Sequence, residues 1–112
     1  MPNILFVCSG NKDRSKTADD YFSAKYPDMH FDSAGTNKRV CEQLGTTYVS
    51  QAQLDWADRV LVMEEKHRKA LVSVFGSGCY GKIMVLGIKD VYTYYDRDLI
   101  GVLEERVDVR SF

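Results

Sequence analysis

The chain has 112 residues, 45% of them hydrophobic and 28% charged, enough apolar material for one compact domain and too little length for two. Its 15 Lys and Arg nearly cancel its 16 Asp and Glu, so no overall field draws it to nucleic acid or to an anionic membrane surface, and any anion binding must be local. No apolar run approaches the roughly 20 residues that span a bilayer, Met1-Pro2-Asn3 lacks the basic region of a secretory signal, and the three cysteines make an odd, sparse set unlike a disulfide framework; together these predict a cytoplasmic protein with free thiols.

The first apolar run, Ile4-Leu5-Phe6-Val7, is continuous rather than alternating, as expected of a parallel strand covered on both faces. Ala18, Tyr21, Phe22 and Tyr26 follow at helical spacing. Met29-His30-Phe31-Asp32 reads as a weaker strand at or near an edge, ended by a turn at Ser33-Ala34-Gly35-Thr36. Residues 37–53 are polar and predict a short helix with loops, and Trp56 is expected to pack at the entry to the next strand. That strand is Val60-Leu61-Val62-Met63; the helix after it places Ala70, Leu71, Val74 and Phe75 on one face and Glu64/Arg68 and Glu65/Lys69 on the solvent side, and stops at Gly76. Ile83-Met84-Val85-Leu86 is a third strand of the central type. A last helix opens at Asp96, a plausible N-cap, and shows Leu99, Val102, Leu103 and Val107 on one face.

This alternation predicts an α/β fold. Residues 1–112 form a single three-layer domain, an open, mostly parallel four-stranded sheet with helices on both faces. Ligands in such sheets bind at the carboxyl ends of the strands. Directly after the first strand comes Cys8-Ser9-Gly10-Asn11-Lys12-Asp13-Arg14-Ser15, running into a helix. A loop of that length can curl its backbone N–H groups inward as an anion nest reinforced by the helix N-terminus. Gly10 and Asn11 tolerate the left-handed backbone such a curl needs. Arg14 returns as a planar fork for two phosphate oxygens. Cys8 lies at the bottom, where these groups favour the charged sulfur, and Ser15 can donate a hydrogen bond to it. A bowl that holds a tetrahedral dianion over a sulfur nucleophile is suited to removing phosphate from an ester; the structural alternative is a buried Cys at a strand end with a surface Arg.

The stretch from Val7 to Ser15 resembles the phosphate-binding loop of the low-molecular-weight protein tyrosine phosphatases. Asp32-Ser33-Ala34-Gly35-Thr36 is similar to that family's second-strand signature, Ala57-Asp58 and Met63-Glu64 to its next strand and helix start, Ile88-Lys89-Asp90-Val91-Tyr92 to its acid loop, and Asp96-Arg97-Asp98-Leu99 to its last helix. The resemblance covers nearly the whole chain, which is shorter than typical members. It implies that Cys8 is a nucleophile forming a phosphocysteine, that Arg14 binds the phosphoryl group, that Asn11 holds the curl, that Ser15 supports the sulfur, and that Asp90 is the general acid and then base. Ser9, Gly10, Asn11, Lys12, Asp13, Ser15 and Tyr92 would surround the substrate. An acid is needed in any case, because an unprotonated ester oxygen leaves slowly. The chain departs from the family at Asp13, where many members have a second Cys, and at Lys16 and Val91, where they have Pro. A mid-chain His that supports the loop in some members has no clear counterpart.

Tyr92, Tyr94 and Tyr95 give an aromatic loop beside Asp90 that could wall a cleft for a phosphotyrosine ring. The expected partner is a phosphorylated protein or a small phosphomonoester. Cys41 and Cys79 read as ordinary thiols, the run Lys66-His67-Arg68-Lys69 as a solvated helix face, and His30 and His67 lack ligand spacing, so no metal or other cofactor is implied. The competing functions on such a loop are an arsenate reductase, a Cys-based phosphoryl carrier and a non-catalytic phosphate-binding module.

Overall fold

The computed structural model describes residues 2–112; Met1, part of the N-terminal reading above, lies outside them. Four strands, β1 (Asn3–Cys8), β2 (His30–Gly35), β3 (Arg59–Val62) and β4 (Ile83–Val85), pair entirely in parallel in the order β2-β1-β3-β4. The helices are α1 (Arg14–Lys25), α2 (Lys38–Leu44), α3 (Gln51–Trp56), α4 (Glu65–Phe75) and α5 (Arg97–Arg106). The period-two alternation of β1 sends its residues into two cores. Ile4, Phe6 and Cys8 join Phe22, Leu99 and Leu103 on the α1/α5 face, whereas Leu5 and Val7 join Leu54, Val62 and Leu71 on the α3/α4 face. Both faces are thus covered, which is why β1 and β3 read as unbroken apolar runs. Among the described residues no helix is long and apolar enough to cross a membrane.

Chain connections run from β1 outward to β2 and then back across to β3, so the crevice between β1 and β3 is the topological switch point. The loop that follows Cys8 opens there.

Several elements differ from the sequence reading, each for a tertiary reason. β2 continues through Ser33, Ala34 and Gly35, which pair with Phe6, Val7 and Cys8; the turn-like composition marks close packing instead of a chain reversal. A Cβ at Gly35 would stand 2.5 Å from the Ser9 carbonyl oxygen and 2.6 Å from Cys41 Sγ, so only glycine lets β2 lie this close to the loop. β4 is an edge strand, not a central one: Met84 is 44% exposed. Residues 37–53 contain two helix starts, α2 capped by Asn37 and α3 by a Ser50–Gln53 capping box. Trp56 ends α3 half exposed, and its carbonyl meets β1 by accepting from Asn3 Nδ2. Arg68 pairs with Glu65, and Glu64 pairs with Arg14 instead. Asp96 does cap α5, accepting from the Asp98 amide.

Because the Gly35 contacts are with backbone and a buried sulfur, Gly35→Ala is expected to cost about 1–3 kcal/mol of stability, the usual penalty for overpacking. Urea unfolding measures it, and an unchanged midpoint would show that β2 and the loop can separate freely.

Candidate active site

Residues 9–13 bridge the end of β1 and the first turn of α1. Among the described residues, none of their five backbone amides donates a hydrogen bond, and Asp13, at the N-cap of α1, makes no capping bond of its own. The turn is therefore a ring of unsatisfied donors at a helix N-terminus, a ready anion site. Only Asn11 adopts left-handed backbone, with φ of 54°. Gly10 does not, and its place is a tight one, since a Cβ there would lie 3.1 Å from Val40 Cγ1. The curl is pinned from the α2–α3 segment: the Thr46 hydroxyl donates to the Gly10 carbonyl at 2.6 Å and the Thr47 amide to Asn11 Oδ1 at 3.3 Å.

Cys8 Sγ sits at the floor, 3.0 Å from Ser15 Oγ. That oxygen accepts from Asn11 Nδ2 at 2.9 Å, leaving its single proton to be shared between the sulfur and the Ala34 carbonyl at 3.3 Å. When the sulfur is anionic the proton belongs to it, because a charged acceptor makes the stronger bond.

Arg14 is only 2% exposed. Its Nη1 donates to Glu64 Oε2 at 2.5 Å and to the Ile88 carbonyl at 2.8 Å, while Nε lies 3.6 Å from Asp90 Oδ1. The guanidinium is thus held from behind through one nitrogen, and the remaining fork is left for two oxygens of a bound anion. The hydrogen bond from Arg14 holds the Glu64 carboxyl below its ordinary range. Asp90 is 62% exposed and stands over the same fork without a direct hydrogen bond to it.

His67 is 1% exposed, not part of a solvated face. Its Nδ1 accepts from the Glu64 amide at 3.0 Å, so the ring proton lies on Nε2, which donates to Ser9 Oγ at 2.8 Å. Burial, helped by the Arg14 charge, pushes its pKa down to about 4 against the opposing pull of Glu64. The loop therefore does have a supporting histidine. It was hidden by its basic neighbours in sequence, and with Glu64 it belongs to one capping turn of α4.

Around the sulfur is a cavity of about 270 Å³ bounded by Cys8, Ser9, Gly10, Lys12, Asp13, Arg14, Val40, Leu44 and Asp90. Every expected loop residue from Cys8 to Arg14 except the buried Asn11 borders it, and Ser15 lies beneath. Tyr92 does not: it packs half-buried against the α1/α5 core. Tyr94 hydrogen-bonds Asp20, and Tyr95, at φ of 59°, is fixed by Thr17. The apolar wall comes from α2 through Val40 and Leu44, whose segment carried no readable signal. Asp13 faces the cavity with Lys12 beside it, while Lys16 pairs with Asp20.

No protein-family model and no curated protein matches the sequence. Solved structures do. The chain is similar to the tyrosine phosphatase AmsI from Erwinia amylovora, with 27% identity, a TM-score of 0.73, and 95% of this chain and 89% of that one covered. It is similar to a low-molecular-weight protein tyrosine phosphatase from T. tengcongensis, at 26% identity and a TM-score of 0.69, covering 96% of this chain and 100% of that one. The fold is also that of the YwlE arginine phosphatase from Geobacillus stearothermophilus, at 24% identity and a TM-score of 0.64, covering 95% and 84%.

Glu64→Gln weakens the ion pair that orients Arg14 and is expected to lower kcat/KM for p-nitrophenyl phosphate about ten-fold or more, since small misplacements of a catalytic group cost that much; steady-state kinetics read it, and an unchanged kcat/KM would show the carboxylate idle. His67 supplies a pH signature. Its folded pKa lies below the ordinary 6.5, so its contribution to stability is complete above that value and is lost as pH falls toward about 4. Urea unfolding across this range should show the loss in the wild type and a flatter profile in His67→Asn.

Proposed function

We propose that this chain, which has the fold and the loop of the low-molecular-weight protein tyrosine phosphatases, hydrolyses phosphomonoesters through a phosphocysteine on Cys8. The observation that carries this reading is that one turn brings together a buried sulfur bonded to Ser15, five backbone amides that donate no hydrogen bond among the described residues, and an arginine held through one guanidinium nitrogen.

In the first step Cys8 Sγ attacks phosphorus and the ester P–O bond breaks, Asp90 giving its proton to the departing oxygen. The loop amides and Arg14 carry the charge that spreads over the three equatorial oxygens. In the second step Asp90, now a carboxylate, takes a proton from water as that water attacks phosphorus and the S–P bond breaks. Ser15 then donates to the released sulfur anion, and inorganic phosphate departs.

Val40 and Leu44 give the cavity an apolar wall suited to an aryl ring, which favours phosphotyrosine. Asp90 beside the fork favours a hydrolase over a phosphoryl carrier, which has no use for an acid there. A reductase relay through thiols is poorly served by this geometry. Cys79 lies in the core on the opposite face from Cys8, and Cys41 Sγ is turned to the Ser9 carbonyl. A reducing cytoplasm, which keeps the three thiols free, suits the chemistry.

Metal-free hydrolysis of p-nitrophenyl phosphate should be present in the wild type and absent in Cys8→Ser. Asp90→Asn should slow alkyl phosphates by about 10²–10⁴-fold and p-nitrophenyl phosphate much less, because the better leaving group needs less protonation. Equal losses for both would remove Asp90 from the acid role, and turnover surviving Cys8→Ser would overturn the mechanism.

A further inference from the structure

A second groove, of about 530 Å³, adjoins the cavity. Lys38 and Arg39 at the start of α2 line it together with Lys66 and Ala70 of α4, and it meets the catalytic loop at Ser9 and His67. Ser9 borders both spaces, so the groove lies directly beside the cavity over Cys8. No carboxylate lines it. Among the described residues Lys38 and Arg39 have no ion-pair partner, and the one contact of Lys66 is a long 3.8 Å approach to Glu64, whose carboxylate is already committed to Arg14 at 2.5 Å. Three cations thus converge on one side of the mouth in a chain whose net charge is −1.

We propose that this groove binds acidic side chains flanking the phosphorylated residue of a protein substrate, so that the enzyme prefers phosphotyrosine set in an acidic segment. The proposal rests on the phosphatase reading above. Sharing Ser9 with the cavity, the groove lies where a peptide continuing from the phosphorylated residue can pass. Successive residues of an extended chain advance about 3.3 Å each, so the positions next to the phosphorylated one are those that meet it. The groove has no aromatic platform on which a base could stack, which separates this surface from a nucleic-acid groove. Exposed ion pairs are individually weak; two or three together give about a three- to ten-fold preference, and ions of the medium screen it.

The test compares kcat/KM for three phosphotyrosine peptides with acidic, neutral and basic flanks, alongside p-nitrophenyl phosphate and a small sugar bisphosphate, in the wild type and in the double variant Lys38→Gln/Arg39→Gln. Glutamine keeps the helical preference of α2 while removing the charge, and urea unfolding confirms that the variant is folded. The expected result is an acidic preference of about three- to ten-fold that fades between about 20 mM and 0.5 M salt and collapses toward unity in the variant. Equal kcat/KM for all three peptides with p-nitrophenyl phosphate still turned over would overturn the groove and leave the phosphatase reading intact. An acidic preference that persists in the variant would assign it elsewhere and also overturn the proposal, as would a sugar bisphosphate hydrolysed in preference to the acidic peptide. Failure of the wild type to hydrolyse p-nitrophenyl phosphate would remove the underlying reading and the proposal with it.

Discussion

The site depends on burying one positive charge. A guanidinium as enclosed as that of Arg14 is tolerable only with a partner, since an unpaired buried ion costs several kcal/mol. Glu64 supplies the charge and the Ile88 carbonyl a further acceptor. Because both contacts use Nη1, satisfying the guanidinium does not consume its anion-binding edge. The ion pair also ties the start of α1 to the start of α4 and to the segment after β4, three places that come together only in the folded sheet. Orientation of the arginine and integrity of this end of the domain therefore stand or fall together.

Parallel topology explains why so much converges. Each strand of the sheet ends at the same edge, so the loops after β1, β3 and β4 necessarily meet above it. The first supplies the sulfur and the amide ring, the second Glu64 and His67, and the third Asp90. β2 closes the back through Ala34 and Gly35, small enough to let the loop lie against it. Among the described residues no buried side-chain nitrogen or oxygen is left without a hydrogen bond. The amides of residues 9–13 donate no hydrogen bond among the described residues, and an anion can use them.

What could be read in the sequence follows from how local each feature is. The span from Cys8 to Ser15 was legible because its parts are contiguous: strand, curl and helix start follow one another. Asp90 could be placed because it follows a strand that must end on the same edge. Glu64 and His67 could not, since their local setting is that of an ordinary charged helix start and their partners are 50 and 58 residues away. Val40 and Leu44 were equally hidden, as an apolar wall of two residues in a polar stretch has no periodic signature. The tyrosines misled in the opposite direction: an aromatic cluster near an acid suggested a cleft wall, whereas Tyr92 is taken up by the core. The end of β2 is not legible in sequence because Ser-Ala-Gly is turn chemistry by composition and close-packing chemistry here.

On the mechanism proposed above, this geometry serves a sulfur that carries phosphate for part of each cycle. The most direct test is to trap it. Asp90→Asn, mixed with p-nitrophenyl phosphate, acid-quenched within the first turnover and digested, should yield a phosphate adduct on the peptide containing Cys8, and Cys8→Ser quenched in the same way should show no cysteine-linked adduct and no released nitrophenol. An adduct on any other residue, or release of nitrophenol and phosphate together with no phosphoenzyme at any time point, would contradict the account.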